Sequence, residues 1–115
     1  MAQRVEAGIE TRAKKALAAW CSARRIEHYY LKLTILGFRG WPDRLILWSG
    51  GGIMFVEWKA PNGEFEPLQP YVHQLLKRLG FIIEVHNNVD EFMGSITSRM
   101  EATRASSKGH ETHRK

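Results

Sequence analysis

The sequence predicts an α/β fold, a mixed β-sheet flanked by helices, and three observations carry that prediction. Apolar residues recur at three- and four-residue spacing near the start of the chain. Runs rich in aromatic and β-branched residues follow, punctuated by glycine and proline. A Leu-rich helical stretch then separates the third such run from a fourth, the layout of a βαβ crossover whose two strands lie parallel. At 115 residues the chain can build one core but not two.

In order along the chain, Val5, Ile9, Ala13, Ala16, Leu17, Trp20 and Ala23 make an amphipathic helix to about Arg24. "HYYLKLTIL", His28 to Leu36, reads as a strand, broken by "GFRGWP". Asp43–Trp48 and Ile53–Ala60 read as two strands joined by Ser49-Gly50-Gly51-Gly52, a hairpin signal with several registers open to it. "APNGEFEP" is a loop, and Pro67 suits the first turn of the next helix. Leu68, Val72, Leu75, Leu76 and Leu79 give that helix an apolar face, and Gly80 ends it. "FIIEVH", Phe81 to His86, is a short strand, and Val89, Phe92, Met93 and Ile96 start a last helix. Residues 1–96 are therefore expected to form the folded domain, with 97–115 a basic, flexible tail lacking apolar periodicity.

Composition narrows the function. Hydrophobic residues make up 43% and charged residues 25%, as in ordinary globular proteins, and no apolar run is long enough to span a membrane. The opening "MAQRVEAGIE" has no apolar signal region, and a lone Cys21 excludes an internal disulfide, so a cytoplasmic location is expected. The net charge is +5, and +3 of it falls in residues 94–115, which favours a polyanionic partner. The five histidines make no spaced ligand pair on one helix, and Gly50-Gly51-Gly52 lacks the Lys-Ser/Thr of a phosphate-binding loop.

The unusual feature is where charge falls in the strands. Glu57 and Lys59 stand two apart, so they share one face with Ile53 and Phe55, while Met54, Val56 and Trp58 take the other. A hairpin turning about Gly51 sets Asp43 opposite Lys59, Leu45 opposite Glu57, and Asp43 diagonal to Glu57. Two neighbouring carboxylates repel unless positive charge lies between them. Lys59 supplies some, and Mg²⁺ or Mn²⁺, which favour oxygen ligands, can supply more. An ion pair at a sheet edge is the plainer explanation of any one of these residues, but it leaves the three together, with Pro42 before Asp43, unaccounted for.

"GWPDR", "FVEWKAPNG" and "PLQ", in that order, resemble the virus-type replication-repair nuclease (VRR-Nuc) family, a branch of the PD-(D/E)xK superfamily, in its small stand-alone phage and bacterial form. The resemblance covers about Ile9 to Phe92 and implies a restriction-endonuclease-like core. It implies that Asp43, Glu57 and Lys59 form a metal-dependent nuclease site, with Gln69 as an auxiliary residue. A further acid is expected from the first helix: Glu10, with Glu6 one turn away as competitor. The implied ligands of Mg²⁺ or Mn²⁺ are Asp43, Glu57 and Glu10, and Lys32, Arg39 and Arg44 are candidate DNA contacts. The implied function is hydrolysis of branched DNA by a homodimeric Holliday-junction resolvase. A less selective endonuclease or nickase, and a non-catalytic DNA-binding module on the same fold, are the alternatives.

Overall fold

The computed structural model describes residues 2–37, 39–59 and 69–113. Helix α1 (Ala2–Arg24) leads into strands β1 (His28–Lys32), β2 (Arg44–Trp48) and β3 (Gly52–Trp58). Helix α2 (Gln69–Arg78), strand β4 (Ile83–His86) and helix α3 (Val89–His113) complete the order. The four strands lie side by side in sequence order; β1–β2 and β2–β3 are antiparallel and β3–β4 is parallel, as a crossover through α2 requires. The fold is thus the expected mixed sheet flanked by helices.

Alternation along the strands divides the core into two layers. Ile46, Trp48, Met54, Val56 and Trp58 face α1 and α3, where Ile9, Ala13, Leu17 and Cys21 meet Phe92, Ile96 and Met100. On the opposite face Phe55 and Ile83 pack against Val72 and Leu76 of α2, with Leu33, Trp41 and Leu45 at the margin. Each large side chain fully buried in these layers contributes roughly 1.5–3 kcal/mol.

Local chemistry sets the helix ends. Arg25 takes a positive φ of 56°, and Ile26 N–H reaches Cys21 O at 3.0 Å while Arg25 N–H reaches Ser22 O at 3.2 Å, a Schellman closure of α1. Gly80, at φ 94°, closes α2 in the same way. Asn88 Oδ1 accepts from Glu91 N–H at 2.8 Å and caps α3.

The structure departs from the sequence reading in several places. Strand β1 ends at Lys32, short of the expected Leu36; Leu33 N–H still bonds Asp43 O at 2.8 Å, and beyond it the chain enters its loop. Leu79 is exposed, beyond the reach of the α2 interface. Helix α3 continues past the expected boundary at 96, since Met100 is a core residue and Arg99 and Thr103 bond to the sheet. Pro67 and Leu68 lie outside the described residues.

The hairpin register also differs. Trp48 pairs with Gly52 and Arg44 with Val56, so the turn centres on Gly50 rather than Gly51. Gly50 and Gly51 take φ of 95° and 85°, and a Cβ on Gly52 would come within 1.9 Å of the Trp48 indole. The third glycine is thus fixed under the Trp48 ring, which selects one register among those the triple glycine allows. The shift is two residues, so every side chain keeps its face.

A polar cluster pins β4 to α3. Glu84 accepts from Ser95 Oγ and Arg99 Nη2, each at 2.7 Å, and lies 2.7 Å from His86 Nε2. The bond to His86 does most to lower the Glu84 carboxyl; burial opposes it, Ser95 and Arg99 add to it, and the pKa falls to about 2. A depressed carboxyl contributes stability that is complete above its unfolded value near 4.5 and is lost as pH falls through about 2. Glu84→Gln should therefore lower unfolding free energy at pH 7 by up to about 3 kcal/mol and flatten the acid limb between those values. Chemical denaturation at several pH values checks this; an unchanged limb would assign it to other groups.

Candidate active site

Asp43, Glu57 and Lys59 gather where β2 begins and β3 ends. With the observed register carried one residue past Arg44↔Val56, Asp43 stands level with Glu57, not with Lys59 as the Gly51-centred hairpin would have it. Both carboxylates occur on the α2 face, and Lys59 follows two residues on along the same face. Lys59 N–H bonds His86 O at 3.0 Å, so the backbone here is held by β4 after β3 formally ends. Glu57 is buried at 6% exposure, whereas the Asp43 side chain is 55% exposed. One acid is thus fixed in the protein and the other opens to solvent.

The first-helix acid lies on the other side of the sheet. Glu10 accepts from Arg44 Nε at 2.5 Å and Nη2 at 3.3 Å, and from Tyr30 Oη at 2.6 Å. Arg44 Nη1 also reaches Asp43 Oδ2 at 2.9 Å, so one guanidinium joins Glu10 to Asp43 around the sheet edge. Tyr30 Oη in turn accepts from Trp58 Nε1 at 2.6 Å. Burial alone would raise the Glu10 carboxyl, but its bonds from Arg44 and Tyr30 outweigh that and hold it below the ordinary range. The Tyr30 phenol is pushed far up, by burial first and then by its bond to Glu10, and stays protonated.

This connected set was not foreseen. Arg44 was expected to be a DNA contact and Glu10 a site acid; the structure bonds them to each other while leaving Arg44 touching Asp43. The network also holds the residue between Glu57 and Lys59, so both halves of the site are tied from behind by α1. Of the other expected residues, Lys32 ends β1 directly across from Arg44, and Arg39 is exposed in the β1–β2 loop. Gln69 opens α2, but its side chain, like that of Glu6, lies outside the described residues. His73, one turn after Gln69, is buried at 8% exposure on α2, and burial, then Lys77 and Lys59, hold its imidazole below the ordinary range. The signal for His73 was the four-residue spacing from Gln69, which sets both on one helix face.

Among the described residues, no three His, Cys, Asp or Glu side chains form a group able to hold a metal. Two level carboxylates nonetheless fit a small hard cation. Mg²⁺ is commonly held by one or two carboxylates together with waters and substrate phosphate, without an all-protein cage. Asp43 and Glu57 offer only oxygen donors, the ligand type such a cation prefers.

Comparison with known proteins gives two matches. A solved structure described as a VRR_NUC domain superposes with a TM-score of 0.67 at 26% identity, over 81% of this chain and 95% of that one. "Putative nuclease p44" of Acyrthosiphon pisum secondary endosymbiont phage 1 is 39% identical over 67 residues, 58% of this chain and 72% of that protein. No family profile matches the chain.

Proposed function

From its membership of the VRR-Nuc family of PD-(D/E)xK nucleases, we propose that the chain is a divalent-metal-dependent endonuclease for branched DNA, acting as a homodimeric Holliday-junction resolvase in the repair or resolution of joined duplexes. The observation that carries the chemistry is the register that sets Asp43 level with Glu57, with Lys59 on the same face.

Asp43 and Glu57 would hold Mg²⁺ or Mn²⁺, which when bound supplies Lewis-acid charge at the phosphate and lowers the pKa of water. Lys59 orients the attacking water and takes up its proton. The water oxygen forms the new bond to phosphorus and the P–O bond to one sugar breaks, leaving a phosphate on one end and a hydroxyl on the other. Glu10 is the third acid, linked to Asp43 through Arg44. Held by Arg44 on the α1 face of the sheet, it positions that guanidinium and, through it, Asp43. Gln69 is an auxiliary residue from the opening turn of α2, and Lys32, Arg39 and Arg44 contact phosphates.

Two features support a symmetric pair. A four-way junction offers two equivalent strands, which two copies of so small a domain match by a two-fold axis. Helix α2 also covers only part of its sheet face, leaving Tyr29 at 55% and Leu31 at 37% exposure, and Tyr71, Leu79 and Phe81 are exposed nearby in sequence. Exposed aromatic and leucine side chains of this kind are available for burial by a partner copy.

The test is incubation with labelled linear duplex and four-way junction in Mg²⁺, Mn²⁺ or EDTA, with sedimentation to give the oligomeric state. Cleavage confined to the junction, abolished by EDTA and made by a dimer, is expected. Equal cleavage of linear duplex would favour the less selective endonuclease or nickase, and binding without cleavage the non-catalytic module.

A further inference from the structure

A cavity of about 240 Å³ lies between α1 and the ends of β1 and β2, lined by Ala7, Glu10, Thr11, Lys14, Tyr30, Lys32 and Arg44. Three of these side chains are cationic and one is anionic, and Glu10 is already engaged by Arg44 and Tyr30. Lys14 is not sweeping free in solvent, because its Nζ stands 5.1 Å from the centre of the Tyr30 ring. Lys32 is paired directly across from Arg44 in the β1–β2 ladder. Like charges in opposed positions destabilise a sheet. Neither Lys32 nor Lys14 has a carboxylate within salt-bridge distance among the described residues. The wall thus carries more positive than negative charge, and an anion would offset the excess.

We infer that this cavity is a phosphate subsite, taking a backbone phosphate of the DNA beside the one being cleaved, with Lys14 and Lys32 as its principal donors and Arg44 as the link to Asp43. The inference rests on the nuclease reading and deepens it by assigning a second contact point for the substrate. Asp43 and Arg44 are consecutive, so they turn to opposite faces at the same sheet edge. A strand passing that edge therefore meets the candidate cleavage site on the α2 side and the cavity on the α1 side. A cation is disfavoured by the surplus positive charge, and an apolar ligand by a wall of ammonium, guanidinium and hydroxyl groups.

The test measures binding of labelled four-way junction in EDTA across a range of salt concentrations, so that cleavage plays no part. One neutralised phosphate contributes about 0.9 to the slope of log affinity against log salt. The Lys14→Ala/Lys32→Ala double variant should lose about that much slope, while Lys15→Ala, next along α1 but outside the cavity, should keep the full slope. A double variant with an unchanged slope, or a Lys15→Ala variant that loses as much, would overturn the subsite. If the original chain still cleaves DNA in either case, the nuclease reading survives that failure; a chain that neither binds nor cleaves DNA would sink both. Inorganic phosphate is the second probe. It should perturb backbone amide resonances at Glu10, Lys14, Tyr30 and Lys32, and junction DNA should displace it. Phosphate that binds there but resists displacement by DNA would mean a site for free phosphate, contrary to the inference.

Discussion

Glu57→Gln is expected to abolish cleavage, by about 10³-fold or more, while DNA binding persists or tightens. The substitution keeps the shape of a buried side chain, so the fold should survive it. What disappears is a full negative charge and with it several kcal/mol of metal-derived stabilisation; each 1.36 kcal/mol is about tenfold in rate. Asp43→Ala should behave alike from the exposed side of the site. Its pair with Arg44 is partly solvated and contributes only about 0–1 kcal/mol to stability, so loss of rate there reflects chemistry rather than unfolding. Both variants should bind Mn²⁺ more weakly by calorimetry. Binding and cleavage lost in parallel, with altered circular dichroism, would point to a folding defect instead.

Lys59 gives the second large effect. A lysine serving only as an edge ion-pair partner contributes about 0–1 kcal/mol, and Lys59→Ala would then be a mild stability variant with near-normal activity. A lysine that orients and deprotonates water contributes roughly 10²–10⁴-fold to the rate. Lys59→Arg separates the two, because guanidinium keeps the charge but does not readily give up a proton. The expected protein is folded, binds DNA and is nearly inactive. Retention of more than about half the original rate would sink the assignment, since the acid–base contribution is expected to be at least ~10²-fold.

The architecture was legible because periodicity encodes it directly. The four-residue steps Ile9–Ala13–Leu17 and Phe92–Ile96 lie on helix faces that are buried as stripes. The order of elements alone made β3 and β4 parallel. Legibility weakened where a side chain from elsewhere decided the outcome. The triple glycine permits several hairpin registers, and the Trp48 ring lying over Gly52 chose one that local sequence could not rank. The candidate site tolerated that error, since a shift of two preserves the face and moved Asp43 closer to Glu57 in the ladder. The Glu10–Arg44 pair had no such protection: its members are 34 residues apart, and charge alone made Arg44 look like a surface contact for DNA. Met100 was lost in a polar stretch in which it is the lone large apolar residue after Ile96.

The bond chain from Trp58 through Tyr30 and Glu10 to Arg44 has a consequence for how the enzyme would fail. Glu10 sits in the N-terminal half of α1, and strands β1 and β2 each donate a hydrogen bond to it, through Tyr30 and Arg44. Partial opening of that half-helix would release Arg44 and Tyr30 together, even with the rest of the core intact. The free energy governing the fraction of competent molecules is then that of a subglobal opening, smaller than the global unfolding free energy and separate from it. Heat or denaturant should silence such a protein before it unfolds, with its sheet and α3 still protected while the site has already come apart.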